Sequence, residues 1–257
     1  MDDDPRAELA NLAASLRAYL EWQQQTGAVG FPRRSASAAV PGAAPSIPAP
    51  TAIAPTAAFS NRDRRLPQLA QEVSTCAKCG LAKTRTQAVF ARGNPGAHLC
   101  FVGEAPGAEE DAQGLPFVGR AGQLLDRMIA AMGLSPERDV YVCNILKCRP
   151  PGNRRPEPEE IAACIPHLHE QLALVRPRVI VALGNTAVAA LLDSTAGITR
   201  VRGQWKLYQG QTLVMPTYHP SYLLRPGPQQ LEAKRQAWED LQLVMKELGL
   251  RPPDKGG

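Results

Sequence analysis

The sequence predicts an α/β protein built as a three-layer sandwich: a central four-stranded, mostly parallel sheet, helices on both faces, and an amino-terminal helix joined through a disordered linker. Three observations predict it. Four short apolar runs, at 99–102, Val140–Asn144, Val179–Leu183 and 212–215, have the length and β-branched content of buried strands. Helical patterns alternate with them at 122–132, 158–174, 187–192 and Gln229–Leu248. Three of the strands run into a Gly, Asn or His-Pro turn, which puts candidate ligand sites beyond the carboxyl ends, where parallel sheets bind their ligands.

Ahead of this body, Leu9, Leu12, Leu16 and Leu20 recur at three- and four-residue steps and form one stripe of an amphipathic helix within residues 1–26. Four leucines specify no partner, so the first reading is an arm that frays or leans on the body, and the second is a docking arm for a protein partner. Residues 27–65 are a linker. Its Pro- and Ala-rich stretch, such as Val40-Pro41-Gly42-Ala43-Ala44-Pro45, cannot bury enough apolar area to offset its ordering entropy. The body spans 66–250, and 251–257 is a flexible tail.

At 257 residues, with 44% hydrophobic and 21% charged side chains, the chain has the composition of a globular protein with a substantial core. No apolar run reaches the roughly 18 residues of a membrane span. The start, Met1-Asp2-Asp3-Asp4, lacks the basic-then-apolar order of a secretory signal, so a cytoplasmic location with reduced thiols is expected. The net charge of +5 is uneven, with five acids against two bases in the first 26 residues and a basic remainder. That balance permits a polyanionic partner without specifying one. No heptad pattern is visible, and a monomer is the expectation.

Six cysteines occur. Cys100 and Cys143 lie inside strand patterns and read as core packing. The others form C-x2-C-x68-C-x15-C over Cys76, Cys79, Cys148 and Cys164. In a reducing compartment four such thiols point to metal rather than disulfides, and both a four-thiolate zinc and a [4Fe–4S] cluster accept them. Spacing alone leaves both open.

Gly103-Glu104-Ala105-Pro106-Gly107 follows the first strand, Asn144 ends the second, and His219-Pro220-Ser221-Tyr222-Leu223-Leu224-Arg225 follows the fourth. With the cysteine spacing, Leu115-Pro116-Phe117-Val118-Gly119 and Lys147-Cys148-Arg149-Pro150-Pro151-Gly152-Asn153-Arg154, these segments resemble the family-4, iron–sulfur uracil-DNA glycosylases. The resemblance covers roughly residues 69–248 and leaves out the first 60 or so. It implies a DNA repair enzyme that flips uracil out of DNA, hydrolyses its N-glycosidic bond and leaves an abasic site. It also implies a [4Fe–4S] cluster on Cys76, Cys79, Cys148 and Cys164, tying an amino-terminal segment to the loop and helix beside the DNA-facing surface.

By the same resemblance, the uracil pocket is made of Gly103, Ala105, Phe117 and Asn144. An amide matches the donor and acceptor of the base edge, and an aromatic ring stacks on its face. His219 is implied as the donor that stabilises the departing uracil anion. The segment after it would enter the minor groove, with Ser221 beside it, Leu223 or Leu224 as the wedge and Arg225 on phosphate. Arg154, in the basic proline-stiffened loop, is a second phosphate candidate. Where the superfamily's best-known branch has a water-directing aspartate, this chain has Ala105, so Glu104 is the first choice to orient water or balance the cationic sugar. Glu109, Glu110 and Asp111 read alternatively as a solvated acidic turn.

Two other functions compete: a passive damage-binding module, and a covalent uracil binder from a related branch that attaches through a histidine in the loop between the last two cysteines. No histidine lies between Cys148 and Cys164, the nearest being His167 and His169, which favours hydrolytic turnover. No well-placed lysine suggests a lyase step, so a monofunctional enzyme is expected.

Overall fold

A computed structural model describes residues 56–250 of the chain. The amphipathic arm at 1–26, most of the linker and the tail lie outside the described residues. Helix α1, Thr56–Ser74, begins inside the stretch read as linker. Its reason is local: Leu66, Leu69 and Val73 repeat at helical spacing and all three are buried.

The elements that follow are a 3-10 turn at Gly80–Lys83, β1 (Arg92–Gly93), β2 (Leu99–Gly103), α2 (Ala108–Gln113), α3 (Arg120–Ala131) and β3 (Val140–Asn144). Next come a 3-10 turn at Pro151–Asn153, α4 (Pro158–Val175), β4 (Val179–Leu183), α5 (Gly184–Leu192) and α6 (Ile198–Val201). The chain closes with β5 (Lys206–Tyr208), β6 (Thr212–Thr217), α7 (Pro220–Leu223) and α8 (Gln229–Leu248).

The sheet has six strands in the order β1-β3-β2-β4-β6-β5, not four. The four expected strands form its parallel centre, in registers such as Gly103 opposite Asn144 and Leu183 opposite Thr217. The two additional strands are antiparallel edges, β1 on β3 and β5 on β6. They are two and three residues long and partly exposed, too short and too polar to show as apolar runs.

Strands β2, β3 and β4 are buried at every residue because both faces of the sheet are covered. The alternation of a pleated strand sorts their side chains. Cys100, Val102, Tyr141, Cys143 and Ile180 pack with Leu168, Leu172 and Val175 of α4 and with α5. Leu99, Phe101, Val140, Val142 and Val181 pack with Leu125 and Ile129 of α3 and Leu241 and Val244 of α8. The expected sandwich is therefore present, and Cys100 and Cys143 are core residues, fully buried.

A polar contact is buried at one edge of this apolar frame. Asp240 of α8 is inaccessible to solvent; it accepts hydrogen bonds from the Arg202 guanidinium and, at 2.7 Å, from Thr217 Oγ1 at the end of β6. It ties the helix to the strand end that leads into His219. Removing the carboxylate leaves Arg202 without its counter-charge in a half-closed site. Asp240→Ala is expected to cost about 3 to 5 kcal/mol of stability, read by urea unfolding under anaerobic conditions; a loss within experimental error would contradict this anchoring role.

Candidate active site

The carboxyl ends of all four parallel strands open on one cleft of about 730 Å3, lined among others by Glu104, Phe117, Asn144, Gly184, His219 and Arg225. Such a volume lies in the range of small-molecule and cofactor sites. The β2–β3 ladder continues past its formal end, with Ile145 N donating to Gly103 O at 2.9 Å and Leu146 N to Glu104 O at 3.0 Å. The two loops that carry Glu104 and Asn144 are thereby held side by side.

Gly103 is the floor beneath them. A Cβ there would lie 2.4 Å from Phe117 Cζ and 2.5 Å from Asn144 Oδ1, so only glycine lets the ring and the amide close over it. Phe117 is buried and has a left-handed backbone, φ 56°. Two features impose that conformation. Gly122 admits the Phe117 carbonyl where a side chain would collide at 1.8 Å. The buried Glu110 carboxylate also takes the N–H groups of Val118 and Gly119, both at 2.9 Å, and of Gly107 at 3.0 Å. Glu110 is thus the clasp between the Gly107 and Phe117 loops. Asp111 is also buried and accepts from Thr86 N at 2.9 Å. The solvated acidic turn is therefore corrected for these two residues, whose charges are satisfied by backbone donors; only Glu109 is exposed.

Asn144 is almost completely buried, and its Oδ1 has no hydrogen-bond partner. Buried orphan acceptors are rare, and one at the wall of a cleft marks a place for a ligand donor. Its backbone carbonyl is fixed by the buried Lys147 ammonium at 2.8 Å, which also reaches Gln171 Oε1 at 2.5 Å. Lys147 faces away from the cleft, and no lysine is among the residues lining it.

His219 caps α7. Its Nδ1 accepts the Ser221 N–H at 3.1 Å and lies 2.7 Å from Ser221 Oγ, so the proton of a neutral ring resides on Nε2. Burial pushes its pKa down to about 4, opposed only in part by the Glu110 charge, and the imidazole is neutral at pH 7. Its ring centroid is 5.7 Å from that of Phe117. Glu104 is half-buried and accepts from Thr186 Oγ1 of α5, a partner with no signal in the sequence.

The remaining expected residues divide. Ala105, Ser221, Arg154 and Arg225 line the cleft. Ser221 is exposed, and its N–H and hydroxyl both meet His219 Nδ1. Leu223 is 2% exposed and packs in the core, whereas Leu224 is half-buried. The Arg154 guanidinium is engaged by Glu160, at 2.6 and 2.9 Å, so it braces its own loop, whereas Arg155 beside it is exposed at the cleft.

The four cysteines meet at a second, smaller cavity that also includes Lys78, Arg85 and Lys147. Cys148 and Cys164 are buried, Cys76 and Cys79 half-buried, and none is in a disulfide. Arg85 Nη1 donates to Cys148 Sγ at 3.0 Å and Lys147 N to Cys164 Sγ at 3.3 Å. Burial raises the Cys148 thiol and takes Cys164 up to about 11, so these groups carry charge only against a cation. Among the described residues no three or more His, Cys, Asp or Glu are arranged to hold a single metal ion. The donor set does fit a larger group: four free thiols from two separated segments face one cavity, with N–H donors aimed at the sulfurs.

Comparison with known proteins agrees with this geometry. A family model described as "Uracil DNA glycosylase superfamily" matches residues 90–242. The chain belongs to this superfamily, and within it to the type-4 branch. It is 45% identical over 182 residues to the type-4 uracil-DNA glycosylase of Thermotoga maritima, covering 70% of this chain and 93% of that protein. The corresponding enzyme of Saccharolobus solfataricus is 43% identical over 192 residues, 72% and 87% of the two chains. A type-5 uracil-DNA glycosylase of Pyrobaculum aerophilum is more distant, at 34% over 146 residues, 51% of this chain and 64% of its own. No described helix is long and apolar enough to cross a membrane.

The half-buried imidazole gives a direct check. In 15N-detected NMR across pH 7 to 5, His219 is expected to keep its Nε2–H neutral form because its pKa is near 4. Titration around the ordinary value of about 6.5 would show that the burial argument is wrong.

Proposed function

We propose that this chain hydrolyses the N-glycosidic bond of uracil in DNA, releasing the base and leaving an abasic site. The observation that carries the reading is the convergence, in one cleft, of an unpaired buried amide acceptor on Asn144, the Phe117 ring and an imidazole whose N–H is fixed on the free side. Uracil stacks on Phe117. Asn144 Oδ1 accepts the N3–H while its Nδ2 donates to O4. As the glycosidic bond lengthens, charge accumulates on the base and His219 Nε2–H donates to O2, a bond that strengthens toward the transition state. Glu104, oriented by Thr186, faces the sugar, where its carboxylate balances the cation and directs water.

Cys76, Cys79, Cys148 and Cys164 would hold a [4Fe–4S] cluster, which when bound supplies a cross-link between the segment after α1 and the loop and helix that follow β3. On the DNA side, Arg225 and Arg155 contact phosphate and Leu224 fills the space of the extruded nucleotide. The catalytic unit runs from α1 to residue 250, with the amino-terminal arm and linker accessory to it and the monomer as the working form.

The test is a uracil-containing oligonucleotide incubated with the protein, treated with alkali and run on a denaturing gel. Alkali-dependent strand cleavage supports hydrolysis. A protein–DNA adduct indicates covalent capture instead, and neither outcome leaves a passive binder. His219→Ala and Asn144→Ala are each expected to lower the single-turnover rate about 100- to 1000-fold with DNA affinity changed far less. An unchanged rate for Glu104→Gln would remove that residue from the mechanism. Protein purified without oxygen is expected to be brown, with iron and acid-labile sulfide in equal amounts; a colourless, zinc-loaded sample excludes the cluster.

A further inference from the structure

His167 stands one helical turn beyond Cys164 on α4, so both project from the same face. It is 7% exposed and lines the same cavity as the four thiols. Its Nε2 is buried without a hydrogen-bond partner. The carboxylates nearby have other engagements: Glu72 pairs with Arg65 across α1, and Glu170 accepts from Arg65 at 2.6 Å. A buried ring nitrogen left unsatisfied is costly, so the cavity must supply its partner. Two other donors in the cavity already point at sulfur, Arg85 at Cys148 and the Lys147 amide at Cys164.

We propose that His167 Nε2–H donates a hydrogen bond to a sulfur of the iron–sulfur cluster and, with Arg85 and the Lys147 amide, sets the potential at which the cluster takes up an electron. The inference rests on the four-cysteine cluster proposed above. Its physical basis is charge: thiolates and sulfides carry net negative charge that grows by one unit on reduction, and N–H donors stabilise the more negative state. The three donors serve the buried side of the site; Cys76 and Cys79 are the half-exposed pair.

The experiment uses the full-length cluster-bearing protein prepared with 15N-labelled histidine, reduced by dithionite and examined by pulsed EPR. His167 is the only histidine lining the cavity, so a histidine nitrogen coupling to the reduced cluster is expected from it. A mediated electrode titration, in which the electrode supplies the electron, then compares wild type, His167→Leu and His167→Gln. The midpoint is expected to move to more negative potential in His167→Leu and to recover in part in His167→Gln, whose amide restores an N–H donor. Absence of the nitrogen coupling in loaded wild type overturns the proposal even if His167→Leu fails to assemble, and so does an unchanged midpoint in a loaded His167→Leu. A wild type that contains zinc or no iron refutes the cluster itself, an outcome distinguishable from either.

Discussion

The missing side chain at Gly103 is the constraint on which the cleft depends. The end of β2 comes so close to Phe117 and Asn144 that one methyl group would overlap both. That closeness brings a flat ring and an amide together over the floor of the cleft. Around it, each neighbour is held by a contact made elsewhere. Glu110 clasps the loop that gives Phe117 its left-handed backbone, Lys147 pins the Asn144 carbonyl, and Asp240 anchors the strand end that delivers His219. Lys147 and Asp240 stand outside the cleft, and Glu110 borders it. They make the cleft rigid before DNA arrives, which is how electrostatic stabilisation acts without reorganisation during the reaction.

Lys147 links the two halves of the molecule. Its ammonium lies under Asn144, its amide points at the Cys164 sulfur, and the next residue is Cys148. Strand end, buried cation and thiol follow one another within residues 144–148, so the thiol cavity is mechanically continuous with the Asn144 amide at the cleft wall. α1 contributes from the other side, its pairing with α4 through Arg65 and Glu170 carrying Cys76 and Cys79 toward Cys164.

The parallel centre of the sheet was legible because its strands are buried on both faces and therefore read as unbroken apolar runs. β1 and β5 were not, since two or three half-exposed residues leave no periodic signal and exist only through their partners. At the site, the four thiols stand out by their spacing, whereas Asn144, Phe117 and His219 are named only through the family resemblance; the structure brings those three to one cleft and the thiols to another cavity. Glu110 was misjudged because an acid among acids looks solvated until three backbone amides close on it. Thr186 gives no cue at all. Leu223 and Leu224 are indistinguishable in sequence, and only the direction of one short helix sends the first into the core. The partner of Arg154, Glu160 six residues on, shows itself only when the loop folds back.

Ala105 lies in the wall of the base cleft and also packs against the small apolar cluster of Leu81, Leu146, Cys148 and Cys164. A single methyl group therefore forms part of the partition between the two chambers. Anyone re-engineering this scaffold, whether to staple the four-thiol chamber or to enlarge the cleft, inherits a shared wall: neither room can be remodelled without measuring the other.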